Sequence, residues 1–130
     1  PYNIFDQRML TSGWLDTLAN DGVSVCARSV FLQGILLREI SELNSYFNPW
    51  LERFSKFETF CSESGITKLE AALKFVTNEK KIAQVIVGVE GVDQINQILD
   101  AYEVTSNTIF DGSCPDVGLV NPLMWGIAKV

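Results

Sequence analysis

Histidine is absent from this sequence. That absence removes every mechanism resting on imidazole: a Ser-His-Asp triad, a Cys-His pair, HExxH zinc chemistry. Positive charge is scarce, with 10 Lys and Arg against 16 Asp and Glu and a formal net charge of −6. An acidic chain of this kind lacks the basic patch that DNA or RNA binding rests on, which argues against a nucleic-acid partner. No apolar run approaches the ~18 residues of a spanning helix, so no membrane partner is expected. The opening residues, Pro1 to Asp6, show neither a basic n-region nor a sustained apolar h-region. Cysteines number only three, Cys26, Cys61 and Cys114, with no CxxC among them. So sparse and odd a set excludes a zinc ribbon or a thioredoxin-type motif and predicts reduced thiols in a cytoplasmic setting.

What remains is an ordinary globular composition. The chain has 130 residues, 47% of them apolar and 20% charged. That length suits one domain over 1–130 with one core. Tyr2 to Phe5 reads as a short strand-like remnant, followed by Asp6 and Arg8, which can pair locally. A helix is predicted over roughly 9–21, with Leu10, Trp14, Leu15 and Leu18 on one face and Gly22 as its left-handed stop. Val23 to Ala27 alternates and reads as a strand, and Arg28 to Gly34 leaves it as a loop. In α/β folds, such a loop at the carboxyl end of a strand is where ligand sites lie.

Asn48-Pro49 predicts a helix start, with Trp50, Phe54, Phe57 and Cys61 sharing a face to about residue 63. Thr67 and Glu70 form a capping box, opening a helix that buries Leu69, Leu73 and Val76 and ends near Asn78. Gln84 to Val87 is a continuous apolar strand signal, and Gly88 to Gly91 a turn. A last helix is predicted over about 92–103, burying Ile95, Ile98, Leu99 and Tyr102, with an irregular tail over 104–130. Strand and helix alternate, which means βα units on a parallel sheet. Two strands and a stub neither close a barrel nor make an ordinary open sheet, so the chain reads as a piece of a larger α/β fold.

Four segments then resemble the aldo/keto reductases. Pro1 to Arg8 resembles the end of their sixth barrel strand. Val23 to Leu36 is similar to the seventh strand and its loop. Val85 to Glu90, followed by Gln94 and Ile95, resembles the eighth strand and the cofactor turn. Leu119 to Trp125 resembles the closing Pro-x-x-Trp stretch. The resemblance implies an α/β fold, a partial (β/α)8 TIM barrel: its C-terminal half, with parallel strands and flanking helices. It implies an oxidoreductase that transfers hydride between a nicotinamide cofactor, NAD or NADP, and a small carbonyl substrate. The family's catalytic Asp, Tyr, Lys and His belong to the first half of its barrel. None is carried over, so the 130-residue chain alone is expected to be inactive.

The resemblance carries over part of a dinucleotide site. Arg28 stands where many members have an aromatic residue stacked on the nicotinamide, and a guanidinium plane can also lie against a ring. Ser29 matches a serine near the pyrophosphate. Phe31 takes the usual leucine position, and Gln33 and Gly34 shape the same loop. Gly88 matches the glycine of the turn that holds the adenosine end, and Gln94 and Gln97 match its polar positions. Glu90 stands where Ser, Lys or Arg often receives the 2′-phosphate of NADP, which points towards NAD or a weakened site. Ile98 replaces a common asparagine. Plain structural roles compete with each of these: a carboxylate partner for Arg28, a first-turn charge for Glu90, surface positions for the glutamines and a core position for Phe31. A second functional reading is a non-catalytic nucleotide-binding or interaction module that self-associates, as a homo-oligomer, through its exposed strand edges.

Overall fold

The computed structural model describes residues 1–126. At its centre lie two parallel strands, β1 (Cys26–Ala27) and β2 (Gln84–Val85), paired Cys26 to Gln84 and Ala27 to Val85. Both are shorter than the expected runs over Val23 to Ala27 and Gln84 to Val87. A strand extends only as far as its ladder does, and each has one strand neighbour. Ala83 N–H donates to Val25 O at 2.9 Å and Ile86 N–H to Ala27 O at 2.8 Å, prolonging the pairing by single bonds. Tyr2 to Phe5 is not a strand. It lies along the far side of β1, tied by one bond from Tyr2 N–H to Arg28 O at 3.1 Å. Side chains alternate across the sheet as the pleat requires: Ala27 is buried beneath the helices, while Cys26, Gln84 and Ile86 face outward.

The helix expected over 9–21 is two helices, α1 (Arg8–Thr11) and α2 (Trp14–Asn20). Gly13, at φ 79°, turns the chain left-handed between them. The break rotates the second helix, so Leu15 is buried while Trp14 is exposed. The stop at Gly22 is as expected. Val23 N–H returns to Leu18 O and Gly22 N–H to Ala19 O, the paired bonds of a Schellman end.

Asn48-Pro49 is not the helix start. A 3-10 helix over Ser45–Trp50 begins earlier, with the Asn44 side chain accepting from Tyr46 N–H at 3.0 Å. Pro49 sits inside that tight turn, and α3 (Leu51–Ser64) follows directly. Phe54, Phe57 and Cys61 form its buried face. α4 (Lys68–Thr77) carries the expected capping box: Thr67 Oγ accepts from Glu70 N–H at 3.1 Å, and Glu70 accepts from Thr67 N–H at 2.7 Å. Its buried face includes Leu73 and Val76, and Val76 belongs with Tyr2, Phe5 and Phe57 to the main core.

α5 (Val92–Glu103) has the expected bounds but not the expected burial. Only Ala101 is buried and Ile98 half-buried, whereas Val92, Ile95, Leu99 and Tyr102 are all exposed. The helix packs on α4 by one side, and its apolar stripe stays largely exposed among the described residues, with only the Lys74 ammonium over the Tyr102 ring, 5.4 Å from its centre.

Of the tail expected to be irregular over 104–130, residues 104–116 carry no regular element, residues 127–130 lie outside the described residues, and short helical turns form only from 117 to 125. Asp116 caps α6 (Val117–Val120) and Asn121 caps a 3-10 turn over Pro122–Trp125. Trp125 is buried against Phe47, and its indole donates to Leu119 O at 3.0 Å. Tyr46 Oη lies 3.0 Å from Gly118 O and Trp50 Nε1 3.0 Å from Asp116 Oδ2, anchoring the tail to the start of α3. Cys61 and Cys114 are buried free thiols, whereas Cys26 is exposed. No helix among the described residues is long and apolar enough to cross a membrane.

Candidate functional site

Both strands end on the same side of the sheet, so the segments leaving them face each other. The first, Arg28 to Gly34, is a strained loop. Ser29, Leu32 and Gln33 have φ of 59°, 47° and 55°, ahead of Gly34 at 84°. Left-handed backbone at non-glycine residues is costly and persists only where the surroundings impose it. Here Leu32 is fully buried, Leu32 N–H returns to Ser29 O at 3.0 Å, and Gly34 N–H returns to Phe31 O at 2.9 Å.

The N-terminal segment supplies the rest of the constraint. The Asn3 side-chain amide donates to Ser29 O at 3.0 Å, while its oxygen accepts from Phe5 N–H and Asp6 N–H at 3.0 and 2.8 Å. Asp6, itself buried, accepts a two-pronged grip from Arg8, both bonds 2.8 Å. That grip raises the Arg8 guanidinium above its ordinary value.

The second segment, residues 86–91, runs from β2 into the N-terminus of α5. Gly91 at the N-cap brings no side chain to the first amides. Gln94, three residues on, reaches back so that its Oε1 accepts from Glu90 N–H at 2.8 Å. This closes the turn in the manner of a capping box displaced by one residue.

Between the two segments lies a cleft of about 770 Å³. Its lining gathers Arg28, Ser29, Phe31, Gln33, Gly34, Gly88, Glu90, Gln94 and Gln97, every residue singled out from the sequence. Arg28 Nη1 lies 3.3 Å from Ser29 Oγ. Among the described residues Arg28 makes no ion pair. Gly34 is required by its positive φ, whereas a Cβ at Gly88 would meet nothing within 4 Å.

The structure adds Arg38 and Leu37 to the first wall, and Ile98, already noted as replacing a common asparagine, lies on the second. Arg38 comes eleven residues after the strand end, through a 3-10 turn over Ile35–Leu37, and no local pattern marks it. Lys68 holds that turn in place, donating to Arg38 O at 2.7 Å and pairing with Glu39 and Glu58 at 3.3 and 2.5 Å. Asn3 was likewise invisible to sequence reasoning, since its partner lies 26 residues away.

Chemically, the cleft offers two guanidiniums on one wall and a carboxylate, two amides and a helix N-terminus on the other. A long ligand with an anionic middle and hydroxyl-bearing ends fits that distribution, and a dinucleotide is such a ligand. No group of three or more His, Cys, Asp or Glu placed to hold a metal ion occurs among the described residues. The model of the aldo/keto reductase family matches residues 1–109, a span that includes both walls of the cleft and leaves the Pro122–Trp125 turn outside. A search of curated proteins finds no match.

Proposed function

The chain belongs to the aldo/keto reductase family, and from that membership we propose that it forms the cofactor-binding, C-terminal part of a barrel oxidoreductase. The complete enzyme reduces a small carbonyl compound with a nicotinamide dinucleotide. The observation that carries this reading is the convergence of the Arg28–Gly34 loop and the Gly88–Gln97 segment on one cleft at the carboxyl ends of two parallel strands.

When bound, the nicotinamide supplies the hydride chemistry, and the protein's part is positioning. Arg28 and Arg38 bring charge to the phosphates, and Ser29 offers a hydroxyl beside Arg28. The strained loop is held by Asn3 before any ligand arrives, so little ordering is left for binding. The proton donor for the carbonyl oxygen comes from residues outside this chain. The uncovered stripe of α5 and the free edge of β2 support the same view, as surfaces that further βα units would cover. Three free thiols support a cytoplasmic setting.

Calorimetric titration of NAD⁺ and NADP⁺ into the 130-residue chain tests the site. At least one should bind, and Ser29→Ala should weaken it several-fold; no binding of either refutes the assignment. Carbonyl-dependent oxidation of NADPH by this chain alone would refute the placement of the proton donor elsewhere. The exposed α5 stripe also favours a second reading, a non-catalytic module that self-associates. Sedimentation separates the two: stable dimers that Leu99→Gln disperses support the module, and monomers at all concentrations exclude it.

A further inference from the structure

We propose that α5 is a hinged wall of the cleft: it undocks from α4 as one unit while the rest of the chain stays folded, and Lys74 is the latch that holds it down.

Little of α5 is tied to the rest of the molecule. Ala101 is buried, Ile98 is half-buried and every other position of the helix is exposed. Its neighbour α4 is two residues shorter and buries Ala71, Ala72, Leu73, Phe75 and Val76. A helix is held to its core chiefly by the apolar face it buries, so the two differ widely in what docks them.

The segments on either side of α5 leave it free to move. On the β2 side the last backbone tie is Ile86 N–H to Ala27 O, and on the other the first is Cys114 N–H to Phe5 O at 2.9 Å. Among the described residues no backbone hydrogen bond joins residues 87–90 or 105–113 to the backbone of another element. The start of the helix, at Gly91, has no side-chain cap.

One polar tie reaches α5 from outside. Lys74 Nζ donates to Tyr102 O at 2.6 Å, and the same ammonium lies 5.4 Å from the centre of the Tyr102 ring. Tyr102 is in the last turn, where carbonyls lack helical partners and carry the negative end of the helix dipole. The cation is thus bonded to the carbonyl and attracted by both the dipole and the ring face. With Ala101 beside it, the docking is concentrated at the carboxyl end. When those contacts part, nothing holds the first two turns in place.

Gln94 and Gln97 lie on α5 and Glu90 on the turn that leads to it, so undocking removes the second wall of the cleft. The first wall stays, held by Asn3 and Lys68. A ligand that touches both walls binds the docked state, and its affinity falls with the share of molecules that are open. The hinge does not depend on which ligand the cleft takes.

The test is native-state hydrogen exchange of the 130-residue chain, read amide by amide by NMR over a series of low urea concentrations. Amides 96–103 should share one opening, populated about 100-fold or more above those of α3 and α4 and only weakly dependent on urea. Lys74→Met keeps the stem and the helix propensity but removes the ammonium. It should speed exchange in α5 about tenfold or more and leave α3 and α4 unchanged. Lys74→Arg, which keeps a cation, should restore most of the protection. If α5 exchanges with the same opening and urea dependence as α4, there is no hinge. If its amides exchange one after another inward from the ends, the helix frays and does not undock. If Lys74→Met leaves α5 unchanged, or speeds all three helices alike, Lys74 is not the latch.

Discussion

Replacing Leu99 by Gln tests the proposal that further βα units complete this chain. Leu99 lies in the middle of α5 on the stripe with Val92, Ile95 and Tyr102, and more than half of it is exposed at 56%. Leu and Gln have similar helix propensity, so the backbone contributes little to the change. Full burial of a leucine is worth roughly 1.5–3 kcal/mol, and this chain realises less than half of that. The 130-residue chain should therefore lose at most about 1 kcal/mol, a shift of several degrees in melting temperature. In a longer polypeptide whose further βα units cover the stripe, the same change removes a buried leucine and buries an amide. The cost there should be about 3 kcal/mol or more. Ala101, on the opposite side of α5 and 3% exposed, is the control: Ala101→Gln should destabilise both forms strongly. Urea melts followed by tryptophan fluorescence read all of these. A large loss for Leu99→Gln in the short chain would refute the packing of α5 on α4 by its other side. A loss equally small in the long polypeptide would refute the completion of the barrel over this face.

Alkaline stability is a second test. Tyr2 is buried with its ring 5.2 Å from that of Phe75, and burial, with Glu79 nearby, pushes its phenol up to about 12. Between pH 10 and 12 the unfolded chain has lost a proton that the folded chain still holds, so stability falls as pH rises, by about 2–3 kcal/mol. Burial likewise pushes the Cys61 thiol up to about 11, starting the same loss near its ordinary value of 9.0. Tyr2→Phe should abolish the upper part of the loss and leave neutral-pH stability unchanged; equal stability of variant and wild type at pH 11 would contradict this. Thiol labelling is a third. Cys26 is exposed, whereas Cys61 and Cys114 are buried, so a thiol reagent at pH 8 should react quickly with one cysteine and with the other two only in denaturant. Two or three fast equivalents would show that the core around α3 opens readily.

The elements that sequence reasoning placed correctly are those decided within a few residues. The Thr67–Glu70 box, the Schellman end at Gly22 and the span of α5 each close their hydrogen bonds locally. The errors lie where distant partners decide. Strand length depends on neighbouring strands, and here there is one pair, so five- and four-residue runs shrink to two residues each. The break at Gly13 is visible as a glycine inside a helical pattern, but the positive φ that makes it a corner, and with it the burial of Leu15 in place of Trp14, is not written in that pattern. Asp116 and Asn121-Pro122 were legible capping signals in the tail, overshadowed by the Gly and Pro around them. Both walls of the cleft were legible because loops that follow parallel strands converge by topology. Arg38 and Asn3 were not, since one arrives through a 3-10 turn and the other acts on a carbonyl 26 residues away.

The burial error on α5 has a different character. The periodicity of Val92, Ile95, Leu99 and Tyr102 is real, and the helix forms over the expected residues with those side chains on one side. Periodicity states which face avoids water, not which chain covers it. Those exposures run from 42% at Ile95 to 71% at Val92, and β2, the strand that leads into α5, has a free edge and is followed by the exposed Ile86. A lone exposed leucine needs no account, but a four-residue stripe on the helix that follows an open parallel strand does, because parallel strands are covered on both faces. The same strand, paired on one edge only, also leads to Gly88 and Glu90 in the cleft. Covering the edge therefore also restrains the turn that forms the second wall. Dinucleotide affinity and the stability cost of Leu99→Gln should thus rise together when the chain is completed. The first wall, already held by Asn3 and Lys68, should change little.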